Sequence, residues 1–468
     1  MKLYSQGAAE EVTGSKHLLE TEKGRIMIDC GAFQGKRAEA DKKNRDWTPE
    51  TKGLDAVVLT HGHYDHCGLL PLLCKEGFDG NIFSTSATRD IANLIMMDSA
   101  KIQARDAEWH EKQARKRGEK FDWKPLYDEN DVMKATNQFV SLSYRRKMLI
   151  SRDIEITFFD AGHILGSSMV YCELERDGGA PLTVAFSGDI GRKSKPIIRD
   201  PDPIPDVDYL VLESTYGDRS HEKVSDIMNE LERIVNRTAE RRGKIILPAF
   251  AVERIQDLIF YLHLLNDQKR IGDIPIFVDS PMAVNATSIF RVHPECYDRE
   301  TREAFIRHHR NPFGFNSLRY IDSVAESKEL NDLKGPAIII SSSGMCEAGR
   351  VVHHLLHNLA DSRNTVLIVG FMAKNTLGRK IRDREPEVSV LGNRMPLRAQ
   401  VEEIRALSSH ADYREMGEYV SGMDLNRLKK IFLVHGEPEP QEHFKNYLLE
   451  LGVADVEIVQ YSKEYELS

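Results

Sequence analysis

Through residues 1–213 the apolar positions fall into short runs rich in Ile, Val, Leu and Phe, separated by turn residues. Such runs predict strands rather than helices. An ionisable residue recurs at or just beyond the end of each run. "RIMID" closes on Asp29, "AVVLT" leads into "HGHYDH", "IEITFFDAGH" reaches His163, "LTVAFSGDIG" reaches Asp189, and "DYLVLEST" contains Glu213. Strand ends from distant parts of a chain can converge on one place, so this pattern predicts a site assembled from several loops.

From about Val224 the spacing changes. "SDIMNELERIVNRTAE" sets Ile227, Leu231, Ile234 and Val235 at helical intervals, and the strand "KIILPAF" comes after Gly243. "VERIQDLIFYLHLL", "IPIFVD", "PAIIIS", "CEAGRVVHHLLHNL", "TVLIVGF" and "TLGRKIRD" continue a strand–helix alternation. Alternation of this kind predicts a mostly parallel sheet with helices on both faces, Rossmann-like but without a GxGxxG turn. After about Met395 the earlier style returns with "LSSHADYREM" and "LKKIFLVHGEPEP", where a strand again ends in a histidine, His435. The expected organisation is therefore one α/β domain, residues 1–213 and 396–468, interrupted by a second at 214–395. The stretch Ala100–Lys124 is highly charged with few large apolar residues, and reads as a solvated helix or surface excursion, with an RNA-guiding arm as the alternative.

Composition adds limits. The 468 residues are 41% hydrophobic and 29% charged, enough for sizeable cores. No run approaches the roughly 20 apolar residues of a membrane span. The N-terminus lacks a signal-peptide pattern, so a cytoplasmic location is expected. Six cysteines lie scattered without a CxxC pair, which points any metal towards nitrogen and oxygen ligands. The net charge of −9 disfavours general attraction to nucleic acid but allows a local basic groove.

His61, His63, Asp65 and His66 form HxHxDH directly after a predicted strand. Imidazole nitrogen and carboxylate oxygen are zinc donors. One turn offers too few ligands for two metals, so others must come from "DAGHILGS", "FSGDIGR" and "FLVHGE". Taken alone, His163 or His435 reads as a structural histidine, Asp189 as a turn residue, and Glu213 as a strand-end carboxylate. Their joint order in matching contexts favours a metal site.

The same order resembles the metallo-β-lactamase fold, an αββα sandwich. "LESTYGDR", "LSSHAD" and "LVHGE" look like motifs A, B and C of its β-CASP branch, which carries an inserted Rossmann-like domain. "GAAEEVTGSKHLL", "SSSGMCEAGR" and "GFMAKNTLGR" are similar to that branch as well. The resemblance covers nearly the whole chain and is weakest around residues 100–150.

It implies two Zn2+ per chain: one held by His61, His63 and His163, the other by Asp65, His66 and His435, with Asp189 bridging. Asp29 would order the site loop. His410 would be the general acid, its imidazole held and partly charged by Glu213, and Asp65 counts among the catalytic residues. Ser409, Ser343, Gly344, Arg350, Lys374 and Arg379 would contact substrate. The implied substrate is single-stranded RNA, cut by hydrolysis to 3′-hydroxyl and 5′-phosphate ends. RNA is favoured over DNA because RNA-cleaving members carry histidine at motif C, here His435, and internal cleavage is expected ahead of 5′ trimming. A homodimer is compatible with this reading, and no membrane partner is expected. The rival readings are a DNA-processing nuclease of the same branch, another metallo-hydrolase on the fold, and a catalytically silent RNA-binding scaffold.

Overall fold

The structure is a computed structural model. It describes residues 1–118, 121, 123–221, 226–307, 311–370 and 372–468. Of the stretches quoted from the sequence, Glu119, Lys120 and Asp122, Val224, Ser225 of "SDIMNELERIVNRTAE", and Phe371 of "GFMAKNTLGR" lie outside the described residues. The chain divides into two compact units. The first comprises Met1–Lys193, Asp200–Ser220 and Ser409–Ser468, and the second Ser194–Arg199 and His221–Ser408.

Among the described residues, the first unit holds two seven-stranded sheets. In one, Arg25–Ile28, Ala56–Val58, Asn81–Ser84 and Phe139–Ser141 run parallel. In the other, Leu182–Phe186, Tyr209–Glu213 and Lys430–Val434 run parallel. Two antiparallel steps then bring Ile154–Asp160 into the same direction as Leu182–Phe186. In Ile154–Asp160 every second side chain is buried, Ile154, Ile156 and Phe158 among them, as a pleated strand with one core face requires. These residues join Ile26, Val58, Val184 and Phe432 in one apolar core drawn from both sheets. The outer faces carry helices. Leu70–Lys75 and the first half of Ser86–Arg117 cover one sheet, and Tyr413–Ser421 with Pro438–Glu450 cover the other. The layers are therefore αββα.

Tyr209–Glu213 is buried at every position, as befits a central strand covered on both faces. Because the strands just named share a direction within each sheet, their C-terminal ends deliver Asp29, His61, His163, Asp189, Glu213 and His435.

The second unit is built on a six-stranded sheet ordered Leu318–Tyr320, Ile276–Val278, Ala337–Ser341, Lys244–Pro248, Thr365–Ile368, Gln400–Glu403, parallel throughout. Helix Ile227–Glu240 leads into Lys244–Pro248, and helices Arg254–Asp267 and Arg350–Asn358 connect strands of this sheet. Gln400–Glu403, beyond residue 395, belongs to this sheet because it pairs with Thr365–Ile368 along its length. Among the described residues no helix is long and apolar enough to cross a membrane.

Candidate metal centre

The turn after Ala56–Val58 places His61 and His63, and the short helix Tyr64–Cys67 starts with His63 as its N-cap and carries Asp65 and His66. His61, His63, His163 and Asp189 bring ligand atoms within 4.8 Å of one another, and Asp65, His66 and His435 do the same. His63 Nδ1 lies 3.0 Å from His61 Nε2 and 3.2 Å from His163 Nε2. His66 Nε2 lies 3.2 Å from His435 Nε2, which is 3.6 Å from Asp65 Oδ2.

Asp189 faces both groups. Its Oδ2 is 3.5 Å from His61 Nε2 and from His163 Nε2. Its Oδ1 is 3.4 Å from His66 Nε2 and 3.7 Å from His435 Nε2. That Oδ1 is buried and, among the described residues, accepts no hydrogen bond. A desolvated carboxylate oxygen without a donor is costly unless a cation offsets it. The donor set, imidazole nitrogen with carboxylate oxygen, fits such cations.

The other face of three of the rings, His61, His66 and His435, is fixed by a partner. Asp29 Oδ2 accepts from His66 Nδ1 at 2.7 Å and from the Thr60 hydroxyl at 2.9 Å, and Asp29 Oδ1 accepts from the Thr60 backbone N–H at 2.8 Å. Since the Thr60 hydroxyl donates to Asp29, its oxygen is left to accept from His61 Nδ1 at 3.1 Å. Across the centre, Thr215 Oγ1 meets His435 Nδ1 at 2.9 Å and the His435 carbonyl at 3.1 Å. A donating Nδ1–H leaves each Nε2 with its lone pair directed inward, the tautomer a metal ligand requires. Thr60 and Thr215 are partners that the sequence motifs do not single out. Thr60 immediately precedes His61 and was open to notice, whereas Thr215 is 220 residues from His435.

Burial and charge act together here. Burial holds His61 well below the usual imidazole range and lowers His63 to about 3, so both are neutral, as ligands must be. Burial also opposes protonation of His66, but the Asp189 and Asp29 carboxylates outweigh it and raise that group to about 10, so a metal ion at its Nε2 would take the place of a proton there. At His410 burial is likewise overcome, by Glu213 and then Asp189, and the imidazole rises to about 9. Burial raises Asp189. Glu213, though buried, is held below its usual range by His410.

The sequence around this centre serves its backbone. The His435 N–H donates to Ala8 O at 2.8 Å, Ser15 N–H to Asp65 O at 2.9 Å, and Cys30 N–H to His66 O at 2.8 Å. His435 and Asp29 both have left-handed φ, 54° and 62°, a strained conformation that surrounding contacts must hold. Lys16, fully buried, donates to Gly14 O at 2.9 Å and Gly31 O at 2.7 Å, with its ammonium 4.3 Å from the Phe33 ring centre. Thus "GAAEEVTGSKH" buttresses two ligand loops. Ser409 stands half-buried beside His410.

The remaining candidates lie in the second unit. Lys374 is exposed. Arg379 donates through Nε to Asp383 at 2.6 Å. Ser343 Oγ accepts from the Glu347 and Ala348 N–H groups at 3.3 and 3.4 Å. Gly344 sits against Phe250, and a Cβ there would lie 3.0 Å from the ring. Arg350 is turned inward. Its Nη1 meets Asp279 Oδ1 at 2.6 Å and the Ile321 carbonyl at 3.1 Å, and its Nη2 meets the Asp322 carbonyl at 2.7 Å. Asp279 is fully buried and also meets His354 Nε2 at 2.6 Å, so Arg350 supports the fold of this unit.

Comparison with known proteins agrees with this architecture. Residues 12–127 match the model of the metallo-beta-lactamase superfamily, residues 255–381 that of the Beta-Casp domain, and residues 394–459 that of the Zn-dependent metallo-hydrolase RNA specificity domain. Ribonuclease TTHA0252 of Thermus thermophilus is 34% identical over 439 residues, covering 94% of each chain. The chain belongs to the β-CASP family of the metallo-β-lactamase superfamily. It is a metal-dependent hydrolase of that family. Transcription termination factor FttA of Methanosarcina mazei is 30% identical, with 93% of this chain covering 67% of that protein. The same factor from Methanocaldococcus jannaschii is 31% identical, with 92% covering 66%. A crystal structure of a protein of unknown function from Enterococcus faecalis V583 shares the fold, at TM-score 0.55 and 11% identity, covering 100% of this chain and 99% of that one.

Proposed function

We propose that the protein is a zinc-dependent ribonuclease that hydrolyses phosphodiester bonds of single-stranded RNA. Internal cleavage is the main mode, and the products carry 3′-hydroxyl and 5′-phosphate ends. The observation that carries this reading is the Asp189 carboxylate, whose Oδ2 faces His61, His63 and His163 while its Oδ1 faces His66 and His435. This supports two Zn2+ per chain, with Asp65 completing the second set. When bound, the two ions supply the Lewis acidity that activates water and polarises a phosphoryl oxygen.

The chain's own part is to move a proton. The leaving ribose oxygen is a poor leaving group unless protonated. His410 has its Nδ1 occupied by Glu213, which leaves Nε2–H to donate. Glu213 keeps the imidazole charged at neutral pH. The similarity of residues 394–459 to an RNA specificity domain, and the name of the Thermus thermophilus relative, favour RNA over DNA. All six cysteines are buried free thiols, which supports a reducing compartment such as the cytoplasm.

The test is digestion of 5′-end-labelled single-stranded RNA by the purified, zinc-loaded protein. Internal fragments with 5′-phosphates support the reading. Intact RNA beside rapid hydrolysis of a thioester or of matched DNA would overturn it.

A further inference from the structure

Helix Ser86–Arg117 is 32 residues long, and its two halves differ. The first half is locked to the ligand loops. A Cβ on Gly62, beside His61, would lie 2.5 Å from Ile91 Cγ2, and the Thr85 and Thr88 hydroxyls both donate to Gly166 O at 2.7 Å. Ile91, Ala92, Met96 and Ala100 are buried, but beyond Ala100 the helix buries only Ala114. At about 1.5 Å per residue, Trp109 stands ~27 Å and Lys116 ~38 Å along the axis from Ile91.

The outer half is patterned. Lys101, Arg105, Trp109, Lys112 and Lys116 succeed one another at intervals of three or four, which places them on one face. All five are exposed, Trp109 at 57%. Glu108 is the acid that interrupts this face, and Glu129 reaches Lys101 only at 3.9 Å. Lys112 and Lys116 make no ion pair among the described residues. Over residues 100–118 there are six basic side chains (Lys101, Arg105, Lys112, Arg115, Lys116, Arg117) and three acidic ones (Asp106, Glu108, Glu111), net +3, in a chain whose overall charge is −9. A groove of about 420 Å³ opens beside the proximal end, but its wall sets Glu108, Asp128 and Glu129 against Lys101 and Arg105, so the cationic stretch is the distal one.

A solvated helix face needs charge but has no use for an indole in water. Cations at helical repeat beside an exposed aromatic suit a flexible polyanion carrying unpaired rings, since phosphates meet the lysines and a base stacks on the indole. We propose that this face is a track for single-stranded RNA, holding the strand about 27–38 Å along the helix from Ile91, the residue packed on the ligand loop at Gly62. It rests on the ribonuclease reading of that centre and adds a distal binding region to it. A trinucleotide, spanning about 10 Å when stacked, does not reach Trp109.

The experiment compares the zinc-loaded protein with Trp109→Ala and with Lys112→Gln/Lys116→Gln, by fluorescence anisotropy on a hydrolysis-resistant, labelled 24-nucleotide single strand. Trp109→Ala is expected to raise Kd about 10-fold for the single strand and to change a duplex of the same length little. The double lysine variant is expected to lower the slope of log Kd against log salt by about 1.4. Turnover of a trinucleotide is expected to be unchanged in all of them. Unchanged Kd and salt slope would overturn the track. Binding is read without cleavage, so an inactive wild type with the expected Kd changes would count against the nuclease reading alone.

Discussion

His410 Nδ1 lies 3.1 Å from Glu213 Oε2 and 3.2 Å from Oε1, and the Ile190 N–H donates to the same Oε1 at 2.6 Å. One buried carboxylate therefore fixes both the imidazole and the loop that carries Asp189. Ala411 N–H closes the arrangement by donating to Ile190 O at 2.8 Å.

His410→Ala is expected to leave the metal content intact and to slow RNA cleavage by about 10²–10⁴, the usual worth of a general acid. Metal analysis beside single-turnover kinetics checks this. Loss of metal in the variant would make His410 a ligand instead.

Glu213→Gln removes the carboxylate that does most to raise His410 to about 9 against its burial. An acid works only while protonated, so activity falls as pH rises through its pKa. The alkaline limb of the kcat profile is therefore expected to move to lower pH in this variant. An unmoved limb would show that the limb belongs to another group.

Thr60→Val and Thr215→Val test how far the ligand rings depend on their hydroxyl partners. Each replaces a hydroxyl by a methyl of similar size and frees one ligand ring, His61 or His435, from its partner. Thr215→Val is expected to weaken one metal equivalent by about 10–100-fold while the other binds normally, whereas Thr60→Val, which also takes a donor from the Asp29 oxygen that holds His66, is expected to weaken both. Zinc titration by calorimetry reads the two equivalents separately.

A methyl on Gly191 would lie 1.7 Å from Gly162 O, in the loop leading to His163. Neither backbone can yield without moving a ligand. Gly191→Ala is expected to lower stability by about 3 kcal/mol, read by chemical denaturation, and to reduce metal occupancy.

Most of the scaffold was legible because its elements bury one face at a fixed period. Ile154, Ile156 and Phe158 alternate as a strand must, and Ile227, Leu231 and Ile234 repeat as a helix must. The centre was legible in outline, since the strands end on the residues that converge there. Sequence could not reveal which side chains turn inward. Arg350, just beyond "SSSGM", was expected from the resemblance to contact substrate, yet its guanidinium turns to Asp279, 71 positions earlier. Thr215 was equally hidden, because its service to His435 depends on two loops meeting in space.

The most direct measurement is the zinc content of the reconstituted protein after removal of free metal, with Asp189→Ala measured alongside. The expected result is about two equivalents in the wild type and loss of both, with loss of RNA cleavage, in the variant. A wild type that holds a single equivalent, or an Asp189→Ala protein that keeps both, would contradict the paired-metal centre.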